Sequence, residues 1–106
     1  MKLSMNHDVE VCCDKCHHVF TLTGDKFRYA SYVCDKRSLG NEYEHVLGQH
    51  GKCPECQSNY VVDVMAYEYP FGCINWEEED VKGVSLRPGN DLSYEREESP
   101  ADYRQL

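Results

Sequence analysis

The chain contains no long hydrophobic run. Its first six residues are followed at once by His7, Asp8 and Glu10, so neither a signal peptide nor a membrane span is expected. We therefore expect a reducing, cytoplasmic location. The seven cysteines are not expected to form a disulfide scaffold, because their number is odd and two pairs have the spacing of metal ligands.

The chain also lacks an excess of positive charge. Its 11 Lys and Arg residues stand against 19 Asp and Glu, which gives a net charge of −8. The acidity lies mostly in the second half, where residues 57–106 carry four basic and eleven acidic side chains. Since binding to nucleic acid depends on neutralising phosphates, this balance disfavours it and favours a basic partner.

Sequence motifs of the common catalytic sites are missing. The chain has no Gly-x-Ser-x-Gly, Walker, Gly-x-Gly-x-x-Gly or His-Glu-x-x-His pattern. Glu42 and His45 have the spacing of a metal-binding pair on a helix, but such sites need a second copy, which is absent. We therefore predict no catalytic residue, no site for an organic cofactor and no enzymatic activity.

Two Cys-x-x-Cys hooks are the strongest feature that is present. A chain of 106 residues buries only a small apolar core and is expected to need further stabilisation, such as a bound metal. Each hook brings two thiolates to one side of a tight turn, so two facing hooks can complete a tetrahedral Zn²⁺ shell. We predict one structural zinc. Its ligands are Cys13, Cys16, Cys53 and Cys56.

The other three cysteines leave alternatives open. Cys12 could replace Cys13 as a ligand, although two matched hooks favour Cys13. Cys34 and Cys73 are expected to be small buried hydrophobes, because free cysteine is among the most buried residue types. A second metal held by Cys34, Cys73 and His45 is the alternative.

The segments around the hooks favour β-strands. Residues 9–12 alternate apolar and polar side chains, and residues 17–23 are rich in β-branched and aromatic residues. In residues 26–34, Phe27 and Tyr29 alternate with Arg28, Ala30 and Tyr32, which also favours a strand. Residues 41–48 fit either a short helix or a strand, and a strand is favoured because the chain must be delivered to its second hook. Residues 35–40 are expected to form a loop, and residues 49–51 a turn.

The strand that begins at Tyr60 and ends at Tyr69 is the longest β-prone run, and both of its sides are largely apolar. A small sheet covers only one side well, so the other should stay exposed and bind a second protein or a second copy of this chain. The side that carries Asp63 is expected to be the exposed one. That side comprises Val61, Met65, Tyr67 and Tyr69, and the buried side Tyr60, Val62, Val64 and Ala66.

Composition changes after Trp76. Residues 77–80 are all acidic, and residues 93–106 are mostly polar or charged. We predict a domain over residues 1–76 and an acidic C-terminal extension over residues 77–106, partly structured or disordered.

The order strand, hook, strand, loop, strand, hook, strand over residues 9–69 resembles the zinc-ribbon superfamily. The resemblance implies a mainly β fold, with four cysteines on two knuckles at one end of a small antiparallel sheet. Two departures stand out. His17 and Gln57 occupy positions where ribbon knuckles commonly have glycine, which predicts strained or differently bonded knuckles, and the 36 residues between the hooks imply a long insertion.

The resemblance leaves function open between two classes. The first is a protein-binding adaptor or inhibitor with an acidic, aromatic-rich surface, since Tyr and Trp are enriched at binding hot spots. The alternative is a nucleic-acid-binding ribbon within a larger transcription or nuclease complex, because basic and aromatic residues interleave. The basic candidates are Lys15, Lys26, Arg28, Lys36 and Arg37, and the aromatic ones Phe27, Tyr29 and Tyr32.

Overall fold

The computed structural model describes residues 1–37 and 40–97, which form mainly β-strands. The strands are β1 Lys2–Ser4, β2 Val9–Cys13, β3 Val19–Leu22, β4 Arg28–Arg37, β5 Gly40–Lys52, β6 Asn59–Glu68, β7 Ile74–Lys82, β8 Val84–Leu86 and β9 Glu95–Glu97. A 3₁₀ turn, Gly24–Lys26, precedes β4. Across the described ranges, no helix could span a membrane. The mainly β prediction is confirmed.

The strands pair antiparallel in three sheets, with the orders β4-β5-β6-β7, β3-β2-β8 and β1-β9. The first hook follows β2 and the second follows β5, so both hooks lie at the same end of the molecule. The long insertion between the hooks is mainly the hairpin of β4 and β5. This hairpin extends the four-stranded sheet in the direction away from the cysteines.

Strand β5 settles the choice at residues 41–48 in favour of a strand. It runs on to Lys52 and pairs with β6 as far as Asn59. The predicted turn at residues 49–51 is therefore wrong, because β5 and β6 stay paired until they reach the second hook. The loop predicted at residues 35–40 is wrong for residues 35–37, which belong to β4, and for Gly40, which begins β5. Residues 38–39 lie outside the described part.

Strand β7 runs through the position where composition changes, from Ile74 to Lys82. Gly83 then separates β7 from β8. Its φ is +81°, and a Cβ there would lie 2.3 Å from the backbone oxygen of Asn59, so only glycine fits. The chain returns through β9, which pairs with β1. Of the predicted tail, residues 98–106 lie outside the described residues.

The side chains of β6 alternate strictly between a buried and a half-exposed side. Tyr60, Val62, Val64 and Ala66 are buried, whereas the side bearing Met65 is half-exposed. The prediction of which side stays open is thus confirmed. The buried side, called here the inner face, packs on residues from other elements and from both ends of the chain. These are Leu3, Met5, Phe27, Leu47, Val84 and Leu92.

Candidate metal centre

The two Cys-x-x-Cys hooks fold into near-identical knuckles. In the first, the amide of Cys13 donates to the oxygen of His18 over 2.8 Å, and the amide of His17 donates to the oxygen of Cys13 over 2.9 Å. In the second, Cys53 and Gln57 donate to the corresponding oxygens over the same two distances. Each knuckle thus closes its turn with its own backbone and presents both sulfurs on one side.

The residue after each second cysteine has a left-handed backbone. His17 and Gln57 both have φ of +66°, a region that side chains with a Cβ seldom occupy. The sequence predicted either a strained backbone or different hydrogen bonds at these positions, and the strained backbone is present in both knuckles. The two knuckles make matching hydrogen bonds.

The four cysteine sulfurs lie together in one cluster. All lie within 4.8 Å of one another, with 3.7 Å between Cys13 and Cys56 and 3.6 Å between Cys16 and Cys53. A tetrahedral ion bound to sulfur at about 2.3 Å would place the sulfurs about 3.8 Å apart. The four cysteines are therefore positioned to bind a metal ion, in a geometry consistent with one structural zinc.

Ser58 shapes the chemistry of this cluster. Its hydroxyl lies 3.4 Å from Cys13 Sγ and 3.1 Å from Cys56 Sγ. Hydrogen bonding from Ser58 lowers the pKa of Cys13 to about 6 and also lowers the pKa of Cys56. A backbone hydrogen bond at His18 lowers the pKa of Cys16, but burial and the neighbouring sulfurs outweigh it and raise that pKa to about 12. A bound cation is what would keep all four thiolates deprotonated together.

The remaining cysteines stay apart from the cluster. Cys12 lies beside it, with its sulfur 3.7 Å from the oxygen of Cys13, and Cys13 supplies the clustered sulfur. Cys34 and Cys73 are both exposed, so the prediction that they are buried is wrong. Cys34 lies on β4, with its sulfur 3.4 Å from the backbone oxygen of Glu42, and Cys73 directly precedes β7.

A buried polar network is the feature that sequence reasoning missed. His45 is 3% exposed and Glu68 is 2% exposed, and His45 Nε2 lies 2.7 Å from Glu68 Oε1. The Tyr29 hydroxyl lies 2.7 Å from His45 Nδ1, and Gly72 donates its amide to Glu68 Oε2 over 2.6 Å. His45 thus pairs with Glu68, not with Glu42. The only hint in the sequence was Glu68 on the apolar side of β6.

Several of the residues considered for binding nucleic acid make other contacts in the structure. Phe27 is in the core, and Tyr29 is half-buried, with its hydroxyl bonded to His45 and to the oxygen of Met1. Arg37 packs its guanidinium 3.9 Å above the ring of Tyr69. A groove of about 380 Å³ remains, which Lys26 and Arg28 line.

The other side of the four-stranded sheet, called here the outer face, is open. Residues that pair directly across antiparallel strands lie on the same face. Met65 pairs with Val46 and Glu78, and Tyr67 pairs with Glu44 and Trp76. Trp76 is 57% exposed, as is Tyr32, the partner of Glu44 on β4.

No family model, curated protein or solved structure matches this chain. The functions of its cysteine cluster and its outer face are therefore inferred from their geometry.

Proposed function

We propose that this chain is a small protein-binding module of the zinc-ribbon type, acting as an adaptor or inhibitor. One structural zinc on Cys13, Cys16, Cys53 and Cys56 holds its fold, and the outer face of the four-stranded sheet binds the partner. The observation that carries the proposal is the open side of β6, where Met65 and Tyr67 remain half-exposed among further apolar residues.

The donor set supports zinc with a structural role. Four thiolates at tetrahedral spacing suit zinc, and a closed shell leaves no coordination position for a water or a substrate. The proposed role is accordingly binding and not catalysis. A shell of four thiols also suits a reducing compartment such as the cytoplasm, where the cysteines would not be oxidised.

The composition of the outer face supports a protein partner. Tyr32 and Trp76 expose large rings, and Val46, Met65 and Tyr67 fill the space between them. Aromatic residues and methionine are enriched in the cores of interfaces, because they bury a large area. Single exposed apolar residues are ordinary, but a contiguous set on one face indicates a binding surface.

A nucleic-acid role is the second candidate, and one observation favours it. The groove of about 380 Å³ brings Lys26, Arg28 and His50 together beside β4. Its only carboxylate is Asp63, which His50 Nε2 meets at 2.8 Å. These cations could follow a phosphate backbone, although Tyr29 has its hydroxyl bonded elsewhere.

Paired variants test the proposed function. The change Met65→Ser with Tyr67→Ser removes apolar surface from the outer face, and Val19→Ser removes an exposed apolar side chain from another sheet. We expect affinity capture from native host extracts, quantified by mass spectrometry, to lose a specific protein partner only with the double variant. Zinc content and circular dichroism should be unchanged in both.

Two results would refute the assignment. The first is a double variant that melts or loses zinc while wild type shows neither partner nor dimer, since the outer face would then belong to the core. The second is tight binding of single-stranded oligonucleotides that falls steeply with salt and is lost in Arg28→Ala, which would favour the nucleic-acid role. Sedimentation of the wild type separates a foreign partner from a second copy of the chain.

A further inference from the structure

Four residues form a row across the outer face at the end remote from the cysteines. Tyr32 pairs with Glu44, Glu44 with Tyr67, and Tyr67 with Trp76, one residue from each of the four strands. The row therefore contains three aromatic rings with one carboxylate among them. It runs across the full width of the sheet.

The next row adds a second carboxylate and apolar contacts. It consists of Ala30, Val46, Met65 and Glu78, again one residue per strand. We call the two rows together the aromatic platform. None of its eight residues carries a positive charge. Arg28 and Lys82 lie in rows closer to the cysteines, and Arg37, beyond the opposite end of the platform, pairs with Glu42 over 3.4 Å.

Hydrogen bonds hold the carboxylates against the rings. The Tyr67 hydroxyl donates to Glu44 Oε2 over 2.8 Å, and Trp76 Nε1 donates to Glu78 Oε1 over 2.9 Å. The bond to Glu44, burial and the charges of Glu44 and Glu78 together raise the pKa of Tyr67 to about 12. The hydroxyl thus stays protonated, and the platform is an area of negative charge with exposed ring faces.

This combination selects for one kind of side chain. Ring faces attract cations, and a carboxylate beside them pairs with the cation's edge. A guanidinium suits both contacts, because it is planar, stacks on aromatic rings and donates two parallel hydrogen bonds to a carboxylate. A phosphate or a carboxylate ligand would instead be repelled by Glu44 and Glu78.

We propose that the aromatic platform binds an arginine side chain on a basic segment of a partner protein. The proposal rests on the proposed function and adds the chemistry of the partner. The guanidinium stacks on the exposed ring of Trp76 and pairs with Glu78, and Tyr32 with Glu44 offers the same two contacts at the other edge of the sheet. Asp80, the next acidic residue of β7 on this face, attracts further basic residues of the same segment.

The single tryptophan makes the proposal directly measurable. Trp76 is the only one in the chain and lies on the platform, so its fluorescence reports on binding there. We would titrate zinc-loaded full-length chain with a short Gly-Arg repeat peptide, and with matched peptides in which lysine or uncharged citrulline replaces arginine. The emission of Trp76 should change with the arginine peptide, less with lysine and not with citrulline.

Two double variants that lose the same charge test whether binding depends on the platform or on the net charge of the protein. Glu44→Gln with Glu78→Gln should weaken binding of the arginine peptide about tenfold, the order expected for lost charge-assisted hydrogen bonds. Glu95→Gln with Glu97→Gln removes two exposed carboxylates from another sheet and should change binding less than twofold. Circular dichroism and zinc content should match wild type in both.

The outcomes that overturn the proposal are distinct from those that overturn the proposed function. Equal weakening by both double variants would mean non-specific attraction to an acidic protein, and equal binding of citrulline would mean a purely apolar contact. Either result, or no binding at all, removes the arginine assignment. The proposed function still stands if Met65→Ser with Tyr67→Ser abolishes capture of a partner, and falls if it does not.

Discussion

The inner and outer faces of the four-stranded sheet are built from alternate residues of the same strands, yet they differ sharply. On β6, Val64 is buried and its neighbour Met65 is half-exposed. The inner face is covered by Leu3 and Met5 from the start of the chain and by Leu92 from near its end. Similar apolar side chains thus serve as core on one face and as surface on the other, depending on what covers them.

Polar groups show the same contrast. His45 and Glu68 are buried on the inner face and satisfy each other, with further bonds to Tyr29 and Gly72. On the outer face, Glu44 and Glu78 bond to aromatic partners at the surface. A buried polar group needs its hydrogen-bond partners for the fold to form, whereas a polar group at the surface remains available for binding.

Removing the metal should reduce stability the most, because the sheet that carries both faces would unfold. Structural zinc contributes on the order of 10 kcal/mol in small domains, comparable with the stability of a whole domain. A strong chelator, or Cys53→Ala, should therefore unfold residues 9–69, as measured by circular dichroism. Elemental analysis should find about one zinc per chain.

The exposed Cys34 provides the matched control. Cys34→Ala should keep the zinc and the fold. A metal-free protein with native circular dichroism would contradict the central role given to the cysteine cluster.

Breaking the buried network should have the next largest effect and act on the inner face. Glu68→Ala leaves His45 and the amide of Gly72 without their acceptor, and loss of one member of a buried pair costs about 3–5 kcal/mol. Urea unfolding would measure this loss. Glu78→Ala, on the outer face, should change the free energy of unfolding by less than about 1 kcal/mol, and equal losses for the two variants would contradict the difference between the faces.

A direct comparison of neighbouring positions on β6 sharpens the contrast. Val64→Ser places a hydroxyl in the core and should cost on the order of 2–4 kcal/mol, through lost packing and an unsatisfied polar group. Met65→Ser should cost less than about 1 kcal/mol, because its side chain is only half-buried. Thermal unfolding of the two variants gives the comparison. A greater loss for Met65→Ser would mean that the outer face is also core.

The smallest expected effect concerns the knuckles and leaves both faces intact. His17→Gly or Gln57→Gly relieves a left-handed backbone and should raise the free energy of unfolding by roughly 0.5–1 kcal/mol, since the strain exceeds the added entropy cost of glycine. His18→Gly, one position along, has no such strain to relieve and should destabilise slightly. Urea unfolding of the zinc-loaded variants would test this, and a loss of stability at both knuckles would show that His17 and Gln57 make contacts worth more than the strain.

Local patterns predicted what depends on neighbours in sequence. The spacing of the cysteines predicted their cluster, alternation predicted the two sides of β6, and the missing glycines predicted strain at His17 and Gln57. Predictions that depended on the surroundings of a residue were wrong. Cys34 and Cys73, expected to be buried, are exposed. The turn expected at residues 49–51 is strand, because β6 pairs with it.

The sequence by itself determined the two cysteine hooks, the β class and the alternation of β6, because each arises from residues close together in the chain. Only the tertiary structure decided that His45 pairs with Glu68, and that Tyr32, Glu44, Tyr67 and Trp76 lie in one row. Those partners are far apart in sequence, and the register of four antiparallel strands brings them together. A shift of one residue in any pairing would send each side chain to the opposite face, so the platform depends on register and not on composition.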